Sequence, residues 1–148
     1  MKVGSDFRLP LLGKTNREII QTMTFHGVSR RVDEIYTFLE QKVIDPGTTY
    51  YQEIGERFDL PYEHNMLGPT LAEISRRSMI AHGFMLSVIV IKKGGAMEPG
   101  HGFFELARQF GYEFRDSPLG RDTVWLGHYK AARAYYKPLA SQSHPAAP

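Results

Sequence analysis

The chain has 148 residues, 42% of them hydrophobic and 23% charged, the size and composition of one domain able to bury a core without staples. It contains no cysteine, which excludes disulfides, thiolate metal sites and a cysteine nucleophile. The net charge of +2 conceals an imbalance: residues 1–75 hold 8 Lys/Arg against 11 Asp/Glu, and residues 76–148 hold 10 against 5.

A basic half is either an electrostatic footprint for an anionic partner or ordinary solvated surface. The most apolar run, Phe84 to Ile91, has the length of a strand and is too short for a bilayer. The N-terminus lacks the apolar centre of a signal peptide, so the expected location is cytoplasmic, with no membrane partner.

Residues 1–27 show no clean period and read as an N-terminal arm or irregular cap, with a short helix around Arg17 to Thr24. A single globular domain is expected over 28–138. Val28, Val32, Ile35, Tyr36, Leu39 and Val43 recur at helical spacing, and Asp45-Pro46-Gly47 ends that helix. In TTYYQEIGERF, Thr49 and Gln52 fit a capping box, and Tyr51, Ile54 and Phe58 form a short apolar stripe.

After the linker DLPYEHNMLG, Pro69 is suited to the first position of a helix over 69–82. Leu71, Ile74 and Ser78 share one face there; Glu73 pairs with Arg77 at i,i+4, leaving Arg76 free, and Gly83 ends the helix. The period then changes. FMLSVIVIKK is apolar on both faces and reads as a covered strand, with Lys92-Lys93-Gly94-Gly95 as its turn.

GFFELARQF is the next helix, with Phe103, Leu106, Ala107 and Phe110 inward and Gly111 as its stop. Tyr112 and Phe114 suggest a short extended piece. Asp122 caps a last helix, over 122–137, on which Trp125, Tyr129 and Tyr136 share a face. The stretch SQSHPAAP lacks core-forming side chains, and residues 139–148 read as a flexible tail.

Two helices joined by a tight turn, then a strand with a basic turn, is the order of a winged helix-turn-helix. The expected fold class is therefore α+β, mainly helical, with a winged helix-turn-helix-like core and an additional helix at each end. In that arrangement helix 69–82 enters the major groove of duplex DNA, offering Thr70, Arg76 and Arg77, while Lys92 and Lys93 touch phosphates. The expected function is non-catalytic DNA binding, as a transcriptional or phage accessory factor, with no cofactor and no metal. The acidic residues Glu53, Glu56, Asp59 and Glu63 on the preceding segment count against it.

The run TYYQEIGERF, a Gly-containing helix, an apolar strand and a Gly-rich link together resemble the DNA-binding domain of alkyltransferase-like proteins, over about residues 48–111. Met66-Leu67-Gly68-Pro69-Thr70-Leu71 stands where that family has its recognition-helix motif. The resemblance implies the winged-helix fold and not the activity. Leu86-Ser87-Val88-Ile89-Val90 stands in place of the family's Pro-Cys-His-Arg motif, and without cysteine no alkyl group can be transferred to the protein. The arginine that the family inserts to flip a base has no counterpart in Asn65-Met66-Leu67. The chain is also similar to small bacterial or phage-type proteins with a PGxGFF segment after a strand, a likeness that implies no activity.

The segment MEPGHGFFE holds the remaining candidates. Gly100-His101-Gly102 lacks the third glycine of a dinucleotide fingerprint and the lysine of a P-loop, but the amides of Gly102 and Phe103 suit an anion at a helix N-terminus. His101 and Glu105, four apart, share a helical face and support an alternative hydrolase or nuclease. They fall short of the three protein ligands of a catalytic metal. The simplest reading is a bend, with His101 capping the helix or half buried. A third function is a protein-binding inhibitor or adaptor, or a homodimer, using Trp125, Tyr129 and Tyr136. His26, His64, His82 and His128 lie in different segments, and Ser78 and Ser87 lack a nucleophile elbow.

Overall fold

The computed structural model describes residues 14–60, 66–95 and 97–143. Its helices are α1 (Lys14–Thr22), α2 (Val32–Ile44), α3 (Tyr51–Arg57), α4 (Leu67–His82), α5 (His101–Gln109) and α6 (Pro118–Ser143). Two strands, β1 (Thr49–Tyr50) and β2 (Val90–Ile91), pair in parallel with Thr49 opposite Val90. The fold is α+β and mainly helical, as the sequence indicated.

Helix α2 lies across the core. Val32, Ile35, Leu39 and Val43 recur every three or four residues and are buried against α6 and the segment after α4. Burying an aliphatic side chain of this kind contributes about 1.5–3 kcal/mol. The helix begins at Val32 rather than 28 because Ser29 forms a turn. Its N–H donates to Thr70 Oγ1 at 2.9 Å, and its Oγ accepts from the Arg31 N–H at 3.0 Å. At the other end Arg133 Nη1 donates to the carbonyls of Val43 at 2.7 Å and Ile44 at 3.0 Å, which the last helical turn leaves open. Gly47 follows at φ +108, a backbone conformation that favours glycine, and a Cβ there would stand 2.8 Å from Tyr129 Oη of α6.

The apolar run after α4 is buried from Phe84 to Ile91, as expected of a covered strand, but its backbone is different. Leu86–Ile89 is a 3-10 turn, and strand geometry is confined to Val90–Ile91. The reason is where its backbone hydrogen bonds go. Ser78 Oγ donates to Phe84 O at 2.6 Å and accepts from Leu86 N–H at 2.9 Å; Ser75 Oγ accepts from Ser87 N–H at 3.1 Å. His128 Nδ1 accepts from Met85 N–H at 3.0 Å. Side chains of α4 and α6 thus take the place of neighbouring strands. Beyond β2, a single antiparallel bridge joins Ile91 to Pro99 and closes the Lys92–Gly95 turn.

Several boundaries moved for local reasons. Thr49 is no capping box: it lies in β1, buried, and its Oγ1 donates to Glu53 Oε1 at 2.6 Å, while Gln52 pairs with Glu56. Helix α6 begins before Asp122 because Ser117 caps it, accepting from Gly120 N–H at 3.1 Å, with Pro118 in the first helical position. Asp122 instead accepts from Trp125 Nε1 at 3.0 Å. In the expected N-terminal arm, α1 packs on α4 with Ile20 buried, while residues 1–13 lie outside the described residues. Residues 61–65 of the linker and 144–148 of the expected tail also lie outside them; 139–143 belong to α6. No helix of the described residues is long and apolar enough to cross a membrane.

His128 is fully buried, edge-on to Tyr112 (ring centroids 4.9 Å) and Phe103 (5.8 Å). Its Nε2 has no hydrogen-bond acceptor among the described residues, and burial pushes its pKa down to about 3. The folded state therefore resists a proton that the unfolded chain accepts at its ordinary value. Stability from the neutral ring is full above about pH 6.5 and is lost as pH falls toward 3. Between pH 7 and pH 5 denaturant unfolding should lose about 2 kcal/mol from this residue, at about 1.4 kcal/mol per pH unit below the ordinary value. His128→Asn, which keeps an acceptor for Met85, should flatten that part of the pH profile. Ser78→Ala strands a buried N–H and should cost about 1–3 kcal/mol in the same measurement, with secondary structure retained by circular dichroism.

Candidate ligand-binding cleft

A cleft of about 480 Å³ opens between α4 and α5. Its apolar floor comes from Leu67, Leu71 and Ala72 of α4 and from Phe103 and Leu106 of α5. The spacing explains the walls. Gly68 and Ala72 are one turn apart on α4, and Gly102 and Leu106 are one turn apart on α5. A Cβ at either glycine would meet nothing within 4 Å. Both glycines stand exposed beside open space.

One end of the cleft is polar. Tyr51, at the start of α3, accepts from Gly100 N–H through its hydroxyl at 3.0 Å and fixes the turn into α5. A Cβ on Gly100 would lie 2.9 Å from that hydroxyl. Lys92, exposed just after β2, His101 and the buried Ser87 also line the cleft. The first turn of α5 also faces it, and N–H groups there have no intrahelical acceptor. Of the Gly102–Phe103 pair expected to suit an anion, the Phe103 N–H is already committed to Gly100 O at 3.1 Å.

His101 does not cap α5. Gly100 holds that position and His101 is the first helical residue, its side chain 80% exposed and 3.5 Å from Glu105 Oε2. No group of three His, Cys, Asp or Glu able to hold a metal occurs among the described residues. Both side chains are exposed, so the pair lacks the burial typical of a general acid–base site.

The residues expected to read DNA bases are engaged elsewhere. Thr70 is fully buried; its Oγ1 donates to Met66 O at 2.7 Å and accepts from Ser29 N–H. Arg76 is not free: Nε and Nη2 donate to the Glu73 carboxylate at 2.8 and 2.9 Å, and Nη1 donates to Gln21 O at 3.2 Å at the end of α1. Arg77 Nε donates to the same carboxylate at 2.7 Å, and its Nη1 donates to Asp33 Oδ1 of α2 at 2.6 Å. Both i+3 and i+4 partners of Glu73 are arginines, so one carboxylate serves two guanidinium groups. The hydrogen bond from Arg76, followed by that from Arg77, holds the Glu73 pKa below the usual carboxylate range against its burial. Lys92 and Lys93 stand exposed.

The aromatic face of α6 is turned inward. Trp125 and Tyr136 are buried and Tyr129 is half-buried, and Tyr136 Oη donates to Glu40 Oε2 of α2 at 2.9 Å. Burial and that hydrogen bond raise the Tyr136 pKa. Neither Trp125 nor Tyr136 is open to a partner.

The cleft thus unites parts of segments that sequence reasoning treated separately: the apolar stripe at Tyr51, the helix at Gly68, the basic turn at Lys92 and the MEPGHGFFE bend. Tyr51, Gly68, Ala72 and Ser87 were missed as site residues. The available signal was the pairing of small residues at i,i+4 on one helix opposite a glycine on another. Compared with models of known families, with curated proteins and with solved structures, the chain matches none.

Glu73 gives a direct test of the arginine clamp. Its lowered pKa means that its contribution is full above the ordinary carboxylate range and is lost as pH falls through the lowered value. Glu73→Gln should lower stability at pH 7 by about 2 kcal/mol, the scale of hydrogen bonds to charged groups, and should flatten the acid side of the urea profile. An unchanged midpoint at pH 7 would show the clamp to be energetically idle.

Proposed function

We propose that the chain is a non-catalytic binding protein whose working surface is the α4–α5 cleft, taking a ligand with an apolar body and an anionic end. The observation that carries this is the convergence of an apolar floor, two open glycine walls and a cationic end in one concavity. A concave apolar site with a few placed polar groups is the usual form of a ligand site. Lys92 and the first turn of α5 supply the positive potential; the floor supplies contact area.

Duplex DNA is the second reading, with α4 as the recognition helix of a winged-helix arrangement and the Lys92–Gly95 turn as its wing. The exposure of Lys92 and Lys93 favours phosphate contacts there. The engagement of Arg76, Arg77 and Thr70 within the fold argues against base reading by that helix.

Octanoate and octanol separate the alternatives when titrated into isotope-labelled protein. Octanoate should shift the amide resonances of Gly68, Ala72 and Gly102, and octanol should do so more weakly. Lys92→Ala should weaken octanoate binding about tenfold, equivalent to about 1.4 kcal/mol. If the cleft amides do not move, the ligand-site reading fails. A salt-dependent anisotropy titration with random duplex then decides the DNA reading, which requires Lys92→Ala with Lys93→Ala to reduce the salt slope.

A further inference from the structure

Among the apolar residues that line the cleft sits one serine, Ser87, which is 5% exposed and belongs to the 3-10 turn between α4 and β2. A hydroxyl has one proton to donate and two lone pairs with which to accept. Two buried hydroxyls of α4 use theirs within the fold. Ser78 Oγ donates to Phe84 O and accepts from Leu86 N–H, and Thr70 Oγ1 donates to Met66 O and accepts from Ser29 N–H.

Ser75 and Ser87 differ. Their hydroxyl oxygens lie 2.6 Å apart, a single hydrogen bond that holds only one of the two protons. Ser75 Oγ also accepts from Ser87 N–H at 3.1 Å. Neither hydroxyl has a further partner among the described residues, so one proton is left over. The surroundings decide which. Ser75 is fully buried, and a donor stranded there would carry the whole cost of its lost hydration. Ser75 therefore donates to Ser87, and the spare proton belongs to the serine that meets the cleft.

We propose that Ser87 donates this proton to a neutral carbonyl oxygen on the body of the ligand, a reading that rests on the α4–α5 cleft as the binding surface. Leu71, Phe103 and Leu106 share the cleft with it, and an ionised oxygen loses more than a neutral one on leaving water for such walls. Ser87 N–H is already taken by Ser75, so the site offers one donor, which suits the oxygen of a ketone, ester or amide. The ligand class is thus narrower than an apolar body with an anionic end: the body itself carries a carbonyl, apart from the group that meets Lys92. A plain hydrocarbon body would leave the Ser87 proton without an acceptor.

The test uses two neutral probes of one shape, acetophenone and α-methylstyrene, in which a methylene group replaces the carbonyl oxygen. Both are titrated into isotope-labelled protein, with the amides of Gly68, Ala72 and Gly102 reporting on the cleft. Ser87→Ala should weaken acetophenone about fivefold relative to α-methylstyrene, the weight of one hydrogen bond. Infrared difference spectra should also show a lower carbonyl stretch for acetophenone bound to the wild type than to Ser87→Ala, the direct sign of a donor. If Ser87→Ala fails to fold by circular dichroism, Ser87→Cys keeps the shape, weakens the donor and should move both readouts in the same direction. The same preference in wild type and variant, or amide shifts with octanoate alone, overturns the Ser87 assignment and leaves the cleft reading standing. If neither these probes nor octanoate shift the cleft amides, both readings fail.

Discussion

A chain segment that runs through a protein core outside helix or sheet must find partners for its own amides and carbonyls. Residues 84–89 meet that constraint through Ser75, Ser78 and His128. These small hydrogen-bonding groups, themselves buried, let the segment pass between α4 and α6 without neighbouring strands. The rest of the architecture depends on it. The segment stays buried through Val90–Ile91, where it pairs with β1, and emerges at the exposed Lys92, which lines the cleft with the first residues of α5. The position of the positive charge at the cleft is a consequence of how a buried backbone was satisfied.

A second polar cluster works on the opposite principle. Glu73 gathers Arg76 and Arg77, and through them α4 is tied to the end of α1 and the start of α2. Charges that look available on a helical wheel are here spent on joining three helices. Lys92 and Lys93, in the loop after β2, stand exposed, whereas the two arginines of α4 are held within the fold.

Much of the helical frame was legible in the sequence. The stripes Val32, Ile35, Leu39, Val43 and Phe103, Leu106, Ala107, Phe110 describe the buried faces correctly, since amphipathic spacing is a local signal. Gly83 and Gly111 end their helices where expected. What failed was the conformation of 84–89. Its burial was read correctly, but β-branched composition cannot reveal that serine and histidine side chains from distant helices replace strand partners. The free Arg76 failed for a related reason: helix spacing shows that Glu73 can reach Arg77, and it does not show a carboxylate shared with Arg76. The cleft was legible only in fragments. Tyr51 and Gly100 are 49 residues apart, and no local pattern announces that one's hydroxyl receives the other's amide.

Helix α6 supplies His128 to a residue 43 positions earlier, Arg133 to carbonyls 89 and 90 positions earlier, and Tyr136 to a carboxylate 96 positions earlier. Long separations of this kind carry a loop-closure penalty before any contact repays it. During synthesis from the N-terminus, the five preceding helices emerge while α2 still lacks the lid over its apolar face and the 84–89 segment still lacks one of its acceptors. Assembly of this domain is therefore complete only once α6 is in place, and without it the apolar face of α2 stays uncovered.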